Sequence, residues 1–165
     1  MSKIEIFIPP EKWDNQKECS LGCSPVRLFF GGTIDNGSSE DWQNELTKKL
    51  DIINSSRDVY IYNPRREDWP SSDEKKEISR QINWELFHLE KSDLIVMNLL
   101  ENSKSPISLM EIGLFASRGK LMVFCPKGFY RYDNVRIVCE RYDIPLYATN
   151  NIDFIAEKVI EYVNA

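Results

Sequence analysis

Apolar residues come in short runs separated by polar stretches of helical spacing, and the two kinds of segment alternate along the chain. The first strong run, Val26 to Phe30, stops at Gly31 and Gly32. A polar loop, Thr33 to Ser39, then leads into a predicted helix from about Glu40 to Asn54. The same strand, loop and helix unit follows. Val59 to Tyr62 reads as a strand, Asn63 to Ser72 as a long polar loop, and Asp73 to Ser92 as a helix with Ile78, Ile82, Leu86 and Leu89 on one face. Leu94 to Asn98 is the third strand. Beyond the loop Leu99 to Ser105, the sequence places Ser105 as an N-cap and Pro106 at the first helical position. That helix runs to about Ser117 and is closed by Gly119. Leu121 to Cys125 predicts a fourth strand, Tyr132 to Tyr142 a short helix, Pro145 to Ala148 a fifth strand, and Ile152 to Val163 a terminal helix.

Alternating apolar strands and helices imply an α/β protein whose parallel sheet is covered on both faces. In such sheets a ligand lies beyond the carboxyl ends of the strands, where the chain order reverses. The loops that matter are therefore those starting at Gly31, Asn63, Leu99 and Pro126. A chain of 165 residues suits one domain, here residues 26–165. Residues 1–25, with Pro9, Pro10, Gly22 and Pro25, read as an irregular extension in which the alternating Ile4 to Ile8 would form an edge strand.

Charge narrows the partners. A net charge of −5 does not suit a protein that neutralises a nucleic-acid backbone, so a small molecule is the expected partner. The apolar runs are too short to cross a bilayer, and no basic region followed by an apolar run opens the chain, so no membrane association and a cytoplasmic location are expected. Cys19, Cys23, Cys125 and Cys139 are then reduced thiols. Cys19 and Cys23 lack a second Cys/His pair at zinc spacing, so no metal is expected.

Glu111 carries the strongest chemical signal. Its neighbours at three and four positions along the predicted helix are Ile107, Ser108, Leu114 and Phe115, which sets a carboxylate on a mostly apolar stripe. Burying an ionised carboxylate is costly, so such a residue either reacts or is a structural glutamate bonded to a neighbouring loop. Glu85 gains interest as its companion, because glycosidic chemistry needs one carboxylate to attack and one acid to protonate the leaving group. Gly31, Gly32 and Thr33 let backbone approach a ligand closely, although a plain tight turn has the same composition. Arg65, Arg66 and Trp69 concentrate two guanidinium groups and an indole in one loop, suited to phosphate or base recognition, or to a surface ion-pair cluster. His88, the only histidine, precedes a core leucine and reads as structural.

Phe29-Phe-Gly-Gly-Thr33, Asn63-Pro-Arg-Arg-Glu-Asp-Trp69, Trp84-Glu85, Ser92-Asp-Leu-Ile95 and Met110-Glu-Ile-Gly113 occur in an order that resembles the nucleoside 2-deoxyribosyltransferase superfamily, in its deoxyribosyltransferase-like branch. The resemblance covers about residues 26–148. It implies a flavodoxin-like, doubly wound sheet of five strands with helices on both faces, a homo-oligomer with sites near subunit interfaces, and a double displacement without cofactor. By this match Glu111 is the nucleophile that attacks C1′ of a nucleoside, and Glu85 handles the proton of the nucleobase. Phe30, Gly31, Gly32, Thr33, Asn63, Arg65, Arg66, Trp69, Ser105, Met110 and Asn134 are the expected substrate-binding residues.

The sequence departs from the family pattern at three of these places. Better-known members carry aspartate where Glu85 and Ser105 stand, and a nucleophile-orienting tyrosine where Phe29 stands. Related nucleotide N-glycosidases carry serine at the Ser105 position, near a 5′-phosphate. Three activities follow: base exchange on a 2′-deoxynucleoside, hydrolysis of a 2′-deoxynucleoside 5′-monophosphate, and a nucleotide-binding module without turnover.

Overall fold

A computed structural model of the chain describes residues 3–16, 24–53 and 55–165. The expectation for Cys19 and Cys23, and the Asn54 end of the first predicted helix, lie outside the described residues. The described chain forms one parallel sheet of β1 (Ile4–Phe7), β2 (Val26–Gly32), β3 (Val59–Tyr62), β4 (Leu94–Asn98), β5 (Leu121–Phe124) and β6 (Leu146–Tyr147), in the order β1-β3-β2-β4-β5-β6. Without β1 this is the flavodoxin-like order, and β1 makes the five expected strands six by adding to the edge beside β3.

Five helices cover the sheet: α1 (Trp42–Lys49), α2 (Lys75–Lys91), α3 (Pro106–Phe115), α4 (Tyr132–Arg141) and α5 (Ile152–Asn164). Alternate strand residues divide between two cores. Leu28, Phe30, Ile61 and Val96 pack with Trp42 and Leu46 of α1 and Val159 of α5. Phe29, Tyr62, Ile95 and Met97 pack with Trp84 of α2, Ile112 and Phe115 of α3, and Val135 of α4. The sheet is thus doubly wound, and its order reverses between β2 and β4.

Two local expectations change. Gly31 and Gly32 continue β2 rather than ending it, pairing with Met97 and Asn98 of β4. A Cβ on Gly32, where φ is +120°, would lie 2.1 Å from the Asn98 carbonyl oxygen, so glycine is what lets the two strands run side by side to the switch point. On α2 the buried face is Gln81, Trp84, His88 and Leu89; of the expected stripe Leu89 is buried, Ile78 and Leu86 are half-buried, and Ile82 is 48% exposed. The large Trp84 ring fills the space over Phe29, at 6.2 Å between ring centroids, and Ile82 faces outward.

Residues 3–16 are anchored by one buried carboxylate. Asp14 accepts hydrogen bonds from Tyr62 Oη at 2.5 Å and Arg27 Nε at 3.0 Å, while its backbone N–H donates to His88 Nε2 at 3.0 Å. Because the Trp84 carbonyl can only accept, His88 Nδ1 carries the proton that meets it at 2.7 Å, which fixes the tautomer. Burial alone would raise the Asp14 carboxyl; the bonds from Tyr62 and Arg27 outweigh it and hold the group below its ordinary range. The stability it contributes is therefore present above the ordinary carboxylate range and lost as pH falls through the depressed value. Asp14→Ala leaves Arg27 buried without its partner and should cost about 3–5 kcal/mol in urea unfolding. A loss below about 1 kcal/mol would refute this anchoring role.

Candidate active site

The face carrying α2, α3 and α4 brings the two glutamates together at the carboxyl end of the sheet. On α3 the buried residues are Ser108, Glu111, Ile112 and Phe115. Ile107, Met110 and Leu114 point outward and are each more than half exposed. The stripe read from sequence therefore splits: Glu111 shares its side with Ser108 and Phe115, while Ile107 and Leu114 lie on the other. No described residue hydrogen-bonds the Glu111 carboxylate, and burial followed by the charge of Glu85 pushes it up to about 8.

Glu85 retains some solvent contact and accepts a hydrogen bond from Gln81 Nε2 at 2.8 Å. Burial pushes it up to about 7, against the opposing effect of that bond. Gln81 Nε2 also donates to the Pro64 carbonyl at 3.1 Å, tying the loop after β3 to the carboxylate pair. Sequence reasoning missed Gln81, although it stands one helical turn before Glu85 and four-residue spacing is the available signal. Burial raises both carboxyls and the Glu85 charge raises Glu111 further, so near neutral pH the pair retains a proton that lies mainly on Glu111.

The remaining expected residues divide by location. Thr33 and Ser105 meet directly, oxygen to oxygen at 2.7 Å. Ser105 is the N-cap residue of α3, but its φ of 46° aims the hydroxyl away from the helix and makes no capping bond. Asn63 folds its own loop, Oδ1 accepting from Arg65 N–H at 3.0 Å. Arg65 holds the loop after β2, donating to the carbonyls of Gly37 at 3.0 Å and Glu40 at 2.9 Å and also to that of Ser39. Arg66 bonds Asp68 at 3.4 Å, leaving Nη1 buried without a partner, as is Trp69 Nε1.

Phe30 lies in the α1 and α5 core against Trp42, on the opposite face of the sheet from Glu111. Met110 faces outward, and Asn134 lines a groove of about 310 Å³ between α3 and α4 with Leu109, Ile112 and Arg131. Gly31, Gly32, Thr33 and Ser105 thus gather at the switch point, and Gln81, Glu85 and Glu111 form a second group on α2 and α3. Phe30, Arg65 and Met110 turn their side chains elsewhere.

A flavodoxin-like parallel sheet with two buried carboxyls on the α2 and α3 side defines a doubly wound α/β protein. The family model described as "Nucleoside 2-deoxyribosyltransferase like" matches residues 25–129, and the chain belongs to that family. No curated protein matches the sequence. Among solved structures, the crystal structure of a conserved protein from Enterococcus faecalis V583 is similar at a TM-score of 0.53 and 12% identity, over 85% of this chain and 98% of that one. At that identity the likeness concerns the fold.

Proposed function

We propose that the protein exchanges the base of a 2′-deoxynucleoside through a covalent sugar ester on Glu111. The carrying observation is the buried pair: between about pH 7 and 8 it shares one proton that lies mainly on Glu111, and passing it to Glu85 frees the Glu111 carboxylate to attack and makes Glu85 the acid. A Glu111 oxygen attacks C1′ as the bond from C1′ to the base nitrogen breaks, and Glu85 delivers its proton to that nitrogen. An incoming base then gives a proton back to Glu85, its nitrogen attacks C1′, and the ester bond to Glu111 breaks. Two inversions return the original configuration. Phe29 brings no hydroxyl to the nucleophile, which agrees with a Glu111 carboxylate that no described residue hydrogen-bonds.

The test is to incubate a deoxynucleoside with and without a second free base and to follow products by chromatography and mass. A new nucleoside that appears only with the second base supports exchange. Base release at the same rate with or without it replaces exchange by hydrolysis, and saturable binding without product leaves a binding module. We place the protein in the cytoplasm as a homo-oligomer acting on small molecules. The supports are the net charge of −5 and the exposed α3 stripe Ile107, Met110 and Leu114. Among the described residues no helix is long and apolar enough to cross a membrane. Leu114→Asp should shift light-scattering mass to the monomer; an unchanged mass would assign assembly to another surface.

A further inference from the structure

Gln81 is buried one helical turn before Glu85 on α2. Its side-chain nitrogen uses both protons, one on Glu85 Oε1 at 2.8 Å and the other on the Pro64 carbonyl at 3.1 Å. Both partners are acceptors, so the amide cannot turn over without setting its oxygen against theirs. That oxygen, Gln81 Oε1, is buried and finds no hydrogen-bonding partner among the described residues.

A side chain kept for packing alone would do better as methionine, which has similar length and leaves no acceptor unpaired. What glutamine adds is its two donations. One of them is an anchor: the Pro64 ring restrains its own backbone, and the flanking Asn63 Oδ1 accepts from Arg65 N–H at 3.0 Å. The other reaches a carboxyl that has no further hydrogen bond among the described residues and whose terminal torsion is intrinsically soft. The amide therefore ties Glu85 to a fixed point outside its helix.

Resting on the proposed function, we infer that Gln81 is the positioning residue of the acid: donating to Glu85 Oε1 from an amide anchored on Pro64, it directs the proton to Glu85 Oε2 and fixes the carboxyl in one orientation for delivery to the leaving base. An oxygen that carries a hydroxyl proton is the poorer acceptor, so the bond to Oε1 favours the acid with its proton on Oε2. The proton that Glu111 passes to Glu85 comes to rest on that atom, and it leaves from there as the bond from C1′ to nitrogen breaks. A carboxyl already held in place delivers its proton without first turning. The same donation is strongest to the ionised carboxylate, so it favours the charged form and opposes the effect of burial on Glu85. Glu111 of α3 is the charged partner in this pair. In the loop that contains Pro64, Arg65 is turned to the Gly37 and Glu40 carbonyls and Arg66 to Asp68.

The experiment measures kcat and KM against pH for the unaltered protein and for Gln81→Met, with two 2′-deoxynucleosides. The base of the first must be protonated to leave; the base of the second, an N7-methylated purine, leaves without it. On the first, kcat should fall by about 10- to 100-fold, the loss expected of a misplaced catalytic group. KM should change by less than about threefold, because both amide protons are used within the protein and none is offered to substrate. The alkaline limb of the rate profile should move to higher pH, since Glu85 without the donation keeps its proton longer, while the acid limb, which reports Glu111, stays in place. On the second nucleoside the variant should lose less than about threefold, as a reaction that needs no acid does not depend on where the acid points.

Equal losses on the two nucleosides, limbs that move together, or an alkaline limb that stays in place would overturn the inference while leaving the proposed function standing. Gln81→Leu serves if the methionine variant does not fold. If neither folds, nuclear magnetic resonance of the unaltered protein decides: a Gln81 Nε2–H resonance should shift as pH crosses the alkaline limb, and one indifferent to pH there ends the inference. If the unaltered protein turns over neither nucleoside, the proposed function falls and the inference falls with it.

Discussion

Glu111→Gln should abolish turnover, lowering kcat by about 10⁴-fold or more, because the residue supplies the bond-forming oxygen and no neighbouring group can replace it. The same variant should be more stable than the unaltered protein in a pH-dependent way. With its folded value raised from 4.5 to about 8, the carboxylate disfavours the folded state once it ionises. Stability is therefore fully retained below about 4.5 and falls as pH rises through about 8. Glutamine resembles the protonated glutamate, so unfolding free energies should agree near the acid end. At pH above 8 the variant should gain on the order of 3 kcal/mol. Retained activity would remove Glu111 as nucleophile, and a pH-independent stability difference would remove the buried-charge account. The expected combination, lost chemistry with gained stability, is the usual trade at a site where a charge is held against its preference.

Glu85→Gln should lower kcat by about 10²- to 10³-fold through loss of the proton donor. Its pH profile separates this from a loss of packing. In the unaltered protein the rate should peak between about pH 7 and 8: below this both carboxyls are protonated and no nucleophile remains, and above it neither carries a proton for the leaving base. In Glu85→Gln the acid limb, which reports Glu111 ionising beside a neutral partner, should remain, and the alkaline limb, which reports loss of the Glu85 proton, should disappear. A substrate whose base leaves without protonation should recover most of the lost rate. An unchanged bell in Glu85→Gln would assign the proton to another group.

Asp14 sits among donors, Tyr62, Arg27 and the Gln16 N–H, and its network closes on itself. A closed network of this kind holds the structure together.

Much of the architecture was legible in the order of the residues. Apolar runs bounded by turn residues located the five strands of the flavodoxin-like order, because a strand buried on both faces must be apolar along its length. The order of the motifs around Gly31, Asn63, Glu85 and Glu111 pointed to the family that the match over residues 25–129 supplies. Periodicity also picked out Glu111, since a carboxylate among apolar neighbours is unusual whichever side of the helix proves to be inside. It could not choose that side. α3 is apolar nearly all round, and on α2 the packing of Trp84 outweighed the isoleucines.

What only the tertiary structure decided depends on atoms far apart in sequence. Glu85 and Glu111 influence one another because α2 and α3 lie on the same face of the sheet. Arg65 is committed to carbonyls 25 to 28 residues away. Ser105 was expected as a cap; its left-handed backbone instead sends the hydroxyl to Thr33, 72 residues earlier. A sequence states which groups can donate, accept or ionise. Which of them meet, and therefore which capacities are left for a substrate, is set by the sheet order that folds β2 against β4.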